Sequence, residues 1–177
     1  FEAFETYGMT ETLSHIALRR INGPARQEAF YPLEGVVLDK DARGCLSVYA
    51  EGITDKTLTT NDIAEFRSDG SFNIIGRIDN VINSGGIKHS PESIEKKIRH
   101  LLNVPFVISA LPHKLLGQEL VIVTEGRPSD SSSLLSAIGK ELSRHELPAA
   151  HIILQHFPKT ESGKIKRAEI MKIISGA

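Results

Sequence analysis

The chain is expected to fold as α+β, with an antiparallel β-rich region followed by a small α+β unit. Three observations lead there. Residues 35–76 hold short apolar runs separated by hairpin signals. After residue 80 the runs follow the order strand, helix, strand, strand, helix, strand, loop, helix. Apolar residues are 40% and charged residues 24% of the 177 positions, which is ordinary for a globular protein.

Taken in order, Phe1 to Thr12 is short, apolar and interrupted by Gly8, and Asn22-Gly23-Pro24 signals a turn. Residues 35–39 and 45–50 read as strands joined by a loop that ends in Gly44. Residues 64–67 and 72–76 form a second hairpin about Asp69-Gly70, a favoured tight-turn pair. Residues 80–83 are a further short strand, ended by Ser84-Gly85-Gly86. Ser90-Pro91-Glu92 then starts a helix: a hydroxyl cap, a proline at the first helical position and an acid in the first turn. Ile94, Ile98, Leu101 and Leu102 share one face of it, with Lys96, Lys97 and Arg99 elsewhere as solvated charge. Residues 106–111 and 119–124 are apolar, β-branched strands that turn through 112–117. Residues 126–133 form a polar loop, and a helix over 134–142 is expected to stop at Pro148. A strand at 152–154, a polar loop at 159–164 and a helix at 168–174 complete the chain.

Composition narrows the function classes. With 21 basic and 22 acidic residues there is no bulk field to draw nucleic acid or an anionic membrane, so any phosphate site must be built locally. Trp is absent and aromatics are few, which argues against a stacking platform for single strands. A single cysteine, Cys45, excludes an internal disulfide and suggests a reducing compartment, hence the cytoplasm. No apolar run approaches the roughly 18 residues of a membrane span. The opening FEAFETYGMTET has no initiator Met and reads as a start inside a larger protein.

Familiar single motifs fail. Ser162-Gly163-Lys164 hints at a phosphate loop, but Pro158 and Ile165 stand where a glycine and a hydroxyl are needed. His145-Glu146 lacks the second histidine of a zinc protease helix, and no other histidine spacing suits a metal. No Gly-x-Gly-x-x-Gly precedes a helix. The stretch Tyr7-Gly8-Met9-Thr10-Glu11-Thr12 mixes an aromatic, a flexible backbone point, hydroxyls and a carboxylate. That suits a loop gripping a nucleotide and its metal, while the residue types alone favour a plain strand end.

As a set, the polar stretches carry more. Tyr7 to Thr12, Asn61-Asp62, Gly76-Arg77-Ile78-Asp79, Ser84-Gly85-Gly86, Pro91-Glu92-Ser93-Ile94-Glu95 and residues 158–167 (PKTESGKIKR) occur in this order. The set resembles the adenylate-forming superfamily, which includes acyl- and aryl-CoA synthetases, peptide-synthetase adenylation domains and luciferases. The resemblance implies two half-reactions. A small-molecule carboxylate attacks the α-phosphate of ATP to give acyl-AMP, and the thiol of coenzyme A then takes the acyl group and releases AMP. It also implies that residues 1–78 are the tail of a large AMP-binding domain and 79–177 its C-terminal lid.

The roles that the resemblance implies are specific. Tyr7 lies against the adenine, with Gly8 beside it. Thr10 bonds a phosphate oxygen, and Glu11 helps hold Mg²⁺. Asp62 accepts both ribose hydroxyls, and Arg77 donates to the same ribose. Lys164 reaches the α-phosphate and the acid, with Lys159, Lys166 and Arg167 adding positive potential. Asp79 is the hinge. Ser84, Gly85 and Gly86 let the pantetheine arm of CoA pass close to backbone. Some positions depart from the family pattern: Asn61 replaces a usual Gly before the Asp, Pro32-Leu33-Glu34-Gly35 replaces a Pro-Gly opening, and the upstream phosphate loop and acid pocket are absent. The 177 residues alone are therefore expected neither to adenylate nor to hold ATP tightly. Within the family, the compact strand region and residues 12–19 (TLSHIALR) look most like the o-succinylbenzoate–CoA ligases of menaquinone synthesis. Another acyl- or aryl-CoA ligase, a carrier-loading adenylation domain and a non-catalytic lid fragment are the alternatives. A homodimer is compatible with the sequence.

Overall fold

The computed structural model describes residues 1–128 and 133–176, so the expected polar loop at 126–133 lies partly outside the described residues. The chain divides into two compact units, Phe1–Ile78 and Asp79–Ala177. Both are built on largely antiparallel sheets with few helices, the α+β architecture expected. Among the described residues no helix is long and apolar enough to cross a membrane.

The first unit opens with a hairpin. Strand β1 (Phe4–Gly8) pairs antiparallel with β2 (His15–Arg20), and β3 (Tyr31–Pro32) adds to β2. A four-stranded meander follows: β4 (Val36–Lys40), β5 (Cys45–Ala50), β6 (Leu58–Phe66) and β7 (Phe72–Arg77). Reciprocal backbone bonds between Phe30 and Phe72, 2.8 and 2.9 Å, join the two sheets. Ile16, Ala17, Phe30, Leu46, Val48, Ala64 and Phe72 are buried as their common core, with Tyr7 packed against it. The expected strands at 35–39 and 45–50 and the hairpin of 64–76 are present. A strand end within residues 1–12 was open from the sequence, but its pairing with β2 was not expected.

Gly8 has a packing role. A Cβ built there would lie 2.5 Å from the Ser14 carbonyl oxygen and 2.8 Å from the His15 Cα. Both are backbone atoms, so the neighbour cannot swing aside. The expected flexible point is instead a close approach, at the bulge where Gly8 faces His15. Gly8→Ala is expected to cost about 2 kcal/mol of stability. Thermal melting checks this, and an unchanged midpoint would refute the close approach.

The second unit is one five-stranded sheet covered on both faces. It comprises β8 (Ile82–Ser84), β9 (Ile87–His89), β10 (Phe106–His113), β11 (Gly117–Glu125) and β12 (Ala150–Leu154). Its helices are α1 (Pro91–Ile98), α2 (Leu134–Glu141) and α3 (Arg167–Ser175). Strand β11 is central: antiparallel to β10, touching β8 at Gly117, and parallel to β12. The parallel pair differs from the all-antiparallel pattern because the long connection carrying α2 returns the chain in the same direction. Phe106, Ile108, Ala110, Leu120 and Ile122 face Ile94, Ile98, Leu134, Ile138 and Leu142. Val107, Val121 and Val123 pack on Phe157 and Ile170. Burial on both faces explains why these strands read as continuous apolar runs rather than alternating ones.

Several boundaries move. The strand expected at 80–83 is Ile82–Ser84, preceded by a 3₁₀ turn at Ile78–Asn80. Strand β9 was missed. Helix α2 ends at Glu141, where Leu142 turns extended, well before Pro148. Helix α1 starts as expected, with the Ser90 hydroxyl accepting the Ser93 N–H at 3.3 Å and Pro91 at the first position. Lys97 is not merely solvated: its ammonium pairs with Glu146 at 2.6 Å.

Candidate functional site

In the first unit one carboxylate collects three stretches of chain. Asp62 on β6 and Arg77 on β7 are register partners, so their side chains rise on one face. Arg77 Nη1 donates to Asp62 Oδ1 at 3.1 Å, and the Tyr7 hydroxyl donates to Oδ2 at 2.6 Å. The Tyr7 ring stands edge-on to Phe72, 5.6 Å between centroids, and is half-buried. Burial, then the hydrogen bond to and charge of Asp62, push the Tyr7 phenol well above its ordinary range, so it stays a proton donor. Each Asp62 oxygen accepts one of these bonds and keeps a lone pair for an incoming hydroxyl. A cleft beside them is lined by Met9, Glu11, Thr59, Thr60, Asp62 and Arg77.

Thr10 and Glu11 sit exposed on a single 3₁₀ turn, Thr10–Thr12, between β1 and β2. Thr12 holds that turn, a role the sequence did not reveal. It is fully buried, its Oγ1 accepts the Met9 N–H at 3.2 Å, and it lies 3.0 and 2.8 Å from the carbonyls of Met9 and Ser14. The turn closes through Leu13 at φ 58, a left-handed conformation unusual for leucine. Glu11 presents one exposed carboxylate, the oxygen ligand that a hard cation takes. Among the described residues no three His, Cys, Asp or Glu gather as a cage. Mg²⁺ commonly takes one or two protein carboxylates, with waters and substrate phosphates completing its shell.

In the second unit Lys164 lies exposed at the tip of a small hairpin. Thr160 N–H bonds the Lys164 carbonyl at 2.8 Å, Lys164 N–H bonds Thr160 Oγ1 at 3.1 Å, and Gly163 turns the chain at φ 80. Ion pairs hold both feet of this hairpin. Lys159 Nζ meets the two Glu125 oxygens at 3.1 and 2.9 Å, and Glu125 also accepts the Phe157 N–H. The Phe157 N–H and the Lys159 ammonium hold Glu125 below the usual carboxylate range. At the other foot Arg167 makes a two-pronged pair with Glu95, 2.7 and 2.6 Å. Glu95 also accepts the Ile108 N–H at 2.7 Å, and Arg167 lies 3.4 Å from the Ile108 carbonyl. The expected positive potential is thus corrected: Lys159 and Arg167 are spent on structural pairs, and Lys166 pairs with Glu169 at 2.9 Å.

Ser84, Gly85 and Gly86 form the β8–β9 hairpin. Gly85 and Gly86 are its two central residues at φ 60 and 82, the doubly positive pattern of a type I′ turn. A cavity beside it is lined by Ser84, Gly85, Ile87, His89, Leu116 and Leu147. Asp79 lies exposed in the 3₁₀ turn between β7 and β8, at the junction of the two units. The structure therefore brings Tyr7, Asp62 and Arg77 together with Glu11 beside their cleft, while Lys164, the Gly pair and Asp79 occupy separate places in the second unit.

Comparison with known proteins supports the adenylate-forming acyl- and aryl-CoA ligase superfamily. The chain is 35% identical over 126 residues to an acetyl-coenzyme A synthetase of Penicillium chrysogenum, covering 66% of this chain and 18% of that one. An AMP-forming acyl-CoA synthetase-like structure from Dyadobacter fermentans matches 98% of this chain and 51% of that one, at 35% identity and TM-score 0.52. The o-succinylbenzoate CoA synthetase of Bacillus subtilis shares the fold over 96% of this chain and 41% of its own, with TM-score 0.81 at 20% identity. No protein-family model matches. The chain spans between 18% and 22% of the length of three curated relatives it matches.

Proposed function

We propose that the chain is the C-terminal portion of an ATP-dependent acid–CoA ligase, with residues 1–78 closing a nucleotide site and 79–177 forming its lid. The observation that carries this reading is the convergence of Tyr7 and Arg77, from two other motif stretches, on the Asp62 carboxylate at a cleft. Asp62 takes the ribose hydroxyls and Arg77 steadies both. Thr10 bonds a phosphate oxygen, and Glu11 contributes a ligand to a magnesium ion that would shield the phosphate charge. Lys164 stabilises the charge that builds as the acid oxygen bonds the α-phosphorus and the bond to pyrophosphate breaks. Asp79 is the hinge between the half-reactions, and the Gly85-Gly86 turn gives the CoA thiol a close path along backbone.

Within this class o-succinylbenzoate is the first acid to test, on the resemblance of residues 12–19 and the compact strand region. The test is ATP–pyrophosphate exchange by the full-length protein over a panel of carboxylic acids, followed by CoA or a phosphopantetheinyl carrier as acceptor. Exchange with a particular acid and acyl-CoA release are expected, and Asp62→Ala is expected to lower exchange at least about tenfold at limiting ATP, because charge-assisted hydrogen bonds are lost. Exchange with none of the acids would overturn the reading; transfer only to a carrier would select the carrier-loading alternative.

A further inference from the structure

We propose that Arg43, which lies outside every motif, is a positioning residue for the Asp62 carboxylate. The inference rests on the nucleotide reading above. Strand β6 does not follow β5 evenly: Cys45 pairs with Ile63 and Ser47 with Thr59. Two steps along β5 thus match four along β6, and Thr60, Asn61 and Asp62 bulge opposite Leu46 alone. A bulge re-aims side chains and leaves backbone groups without rungs.

Arg43 supplies what the ladder lacks. Its Nη2 donates to the Thr60 carbonyl at 2.8 Å and its Nη1 to Asn61 Oδ1 at 3.1 Å. The guanidinium is itself fixed, because Nε donates to Asp41 Oδ2 at 2.9 Å. Asp41 is fixed in turn, accepting the N–H groups of Arg43 at 2.8 Å and Cys45 at 3.0 Å through Oδ1. On the far side the Asp62 N–H bonds Thr60 Oγ1 at 3.0 Å. The β4–β5 turn therefore grips Thr60 from its carbonyl while Asp62 hangs from the Thr60 side chain. Asn61 is the residue whose side chain Arg43 holds.

The readout is discrimination between ATP and 2′-deoxy-ATP in pyrophosphate exchange by the full-length protein. Wild type is expected to favour ATP, and Asp62→Ala to lose that preference. Arg43→Ala is expected to raise the KM for ATP about tenfold, since two charge-assisted bonds go, and to narrow the preference to a similar degree. The KM for the acid should not move. Arg43→Lys should restore only part, because an ammonium cannot reach both acceptors in the planar fork. Asn61→Gly removes one acceptor without touching Arg43, and Arg43→Ala should cost less in that background than in wild type. Full preference retained in Arg43→Ala but lost in Asp62→Ala would overturn the proposal alone. Full preference retained in Asp62→Ala would overturn the ribose reading and the proposal with it.

Discussion

Lys164→Ala is expected to slow adenylation by the full-length protein at least about 100-fold, the usual cost of removing one preorganised donor to transition-state charge. Thioester formation from supplied acyl-adenylate should stay within a few-fold of wild type. The clean separation follows from how the hairpin is held. Its backbone turn closes through Thr160 and Gly163, and its feet are tied by Lys159 to Glu125 and by Arg167 to Glu95. None of these uses the Lys164 ammonium, so its removal leaves the loop in place. Pyrophosphate exchange reports the first half-reaction, and a single turnover of synthetic acyl-adenylate with CoA reports the second. Equal loss in both would remove Lys164 from the role assigned to it.

Glu95→Ala should destabilise the second unit by about 3 kcal/mol, the low end for breaking a buried pair. Glu95 is 6% exposed, and its loss strands the Arg167 guanidinium and the Ile108 N–H together. Glu95→Gln keeps an acceptor for Ile108 and should cost less. Urea unfolding followed by far-UV circular dichroism gives the free energy, and hydrogen exchange at the Ile108 amide localises it. Unchanged protection of that amide would show that the pair does not hold the strand.

Much of this architecture is local and was legible from residues. Ser90-Pro91-Glu92 starts α1 because a cap acts within one turn, and the paired runs of 35–76 announce hairpins through their turns. The misses share a cause. The β1–β2 hairpin was hidden because its connection is a 3₁₀ turn closed by Leu13 rather than by a Gly or Asn turn signal, and β9 is three residues long. Tyr7 and Asp62 lie 55 positions apart, and Glu95 and Arg167 lie 72 apart. Periodicity and turn chemistry report neighbours along the chain, so such partners appear only once the strands are laid side by side. The Asp62 motif was visible as a residue, but the bulge that aims it depends on a register between strands that residue types do not encode. The separate roles of Lys159 and Arg167 were invisible for the same reason: each needed its carboxylate from another element.

The pair at Ile108 also bears on how molecules of this protein meet one another. Strand β10 is the open border of its sheet, and its sequence FVISAL is the kind that a passing strand would readily join. Joining requires a free rung at every second residue. On this border the Ile108 N–H is already taken by Glu95, with Arg167 over the Ile108 carbonyl, and Pro112, two rungs further on, has no N–H to offer. A foreign strand would find Ala110 between a blocked rung and a missing donor. Two residues that brace a loop within one molecule thereby also guard against cross-β association between molecules.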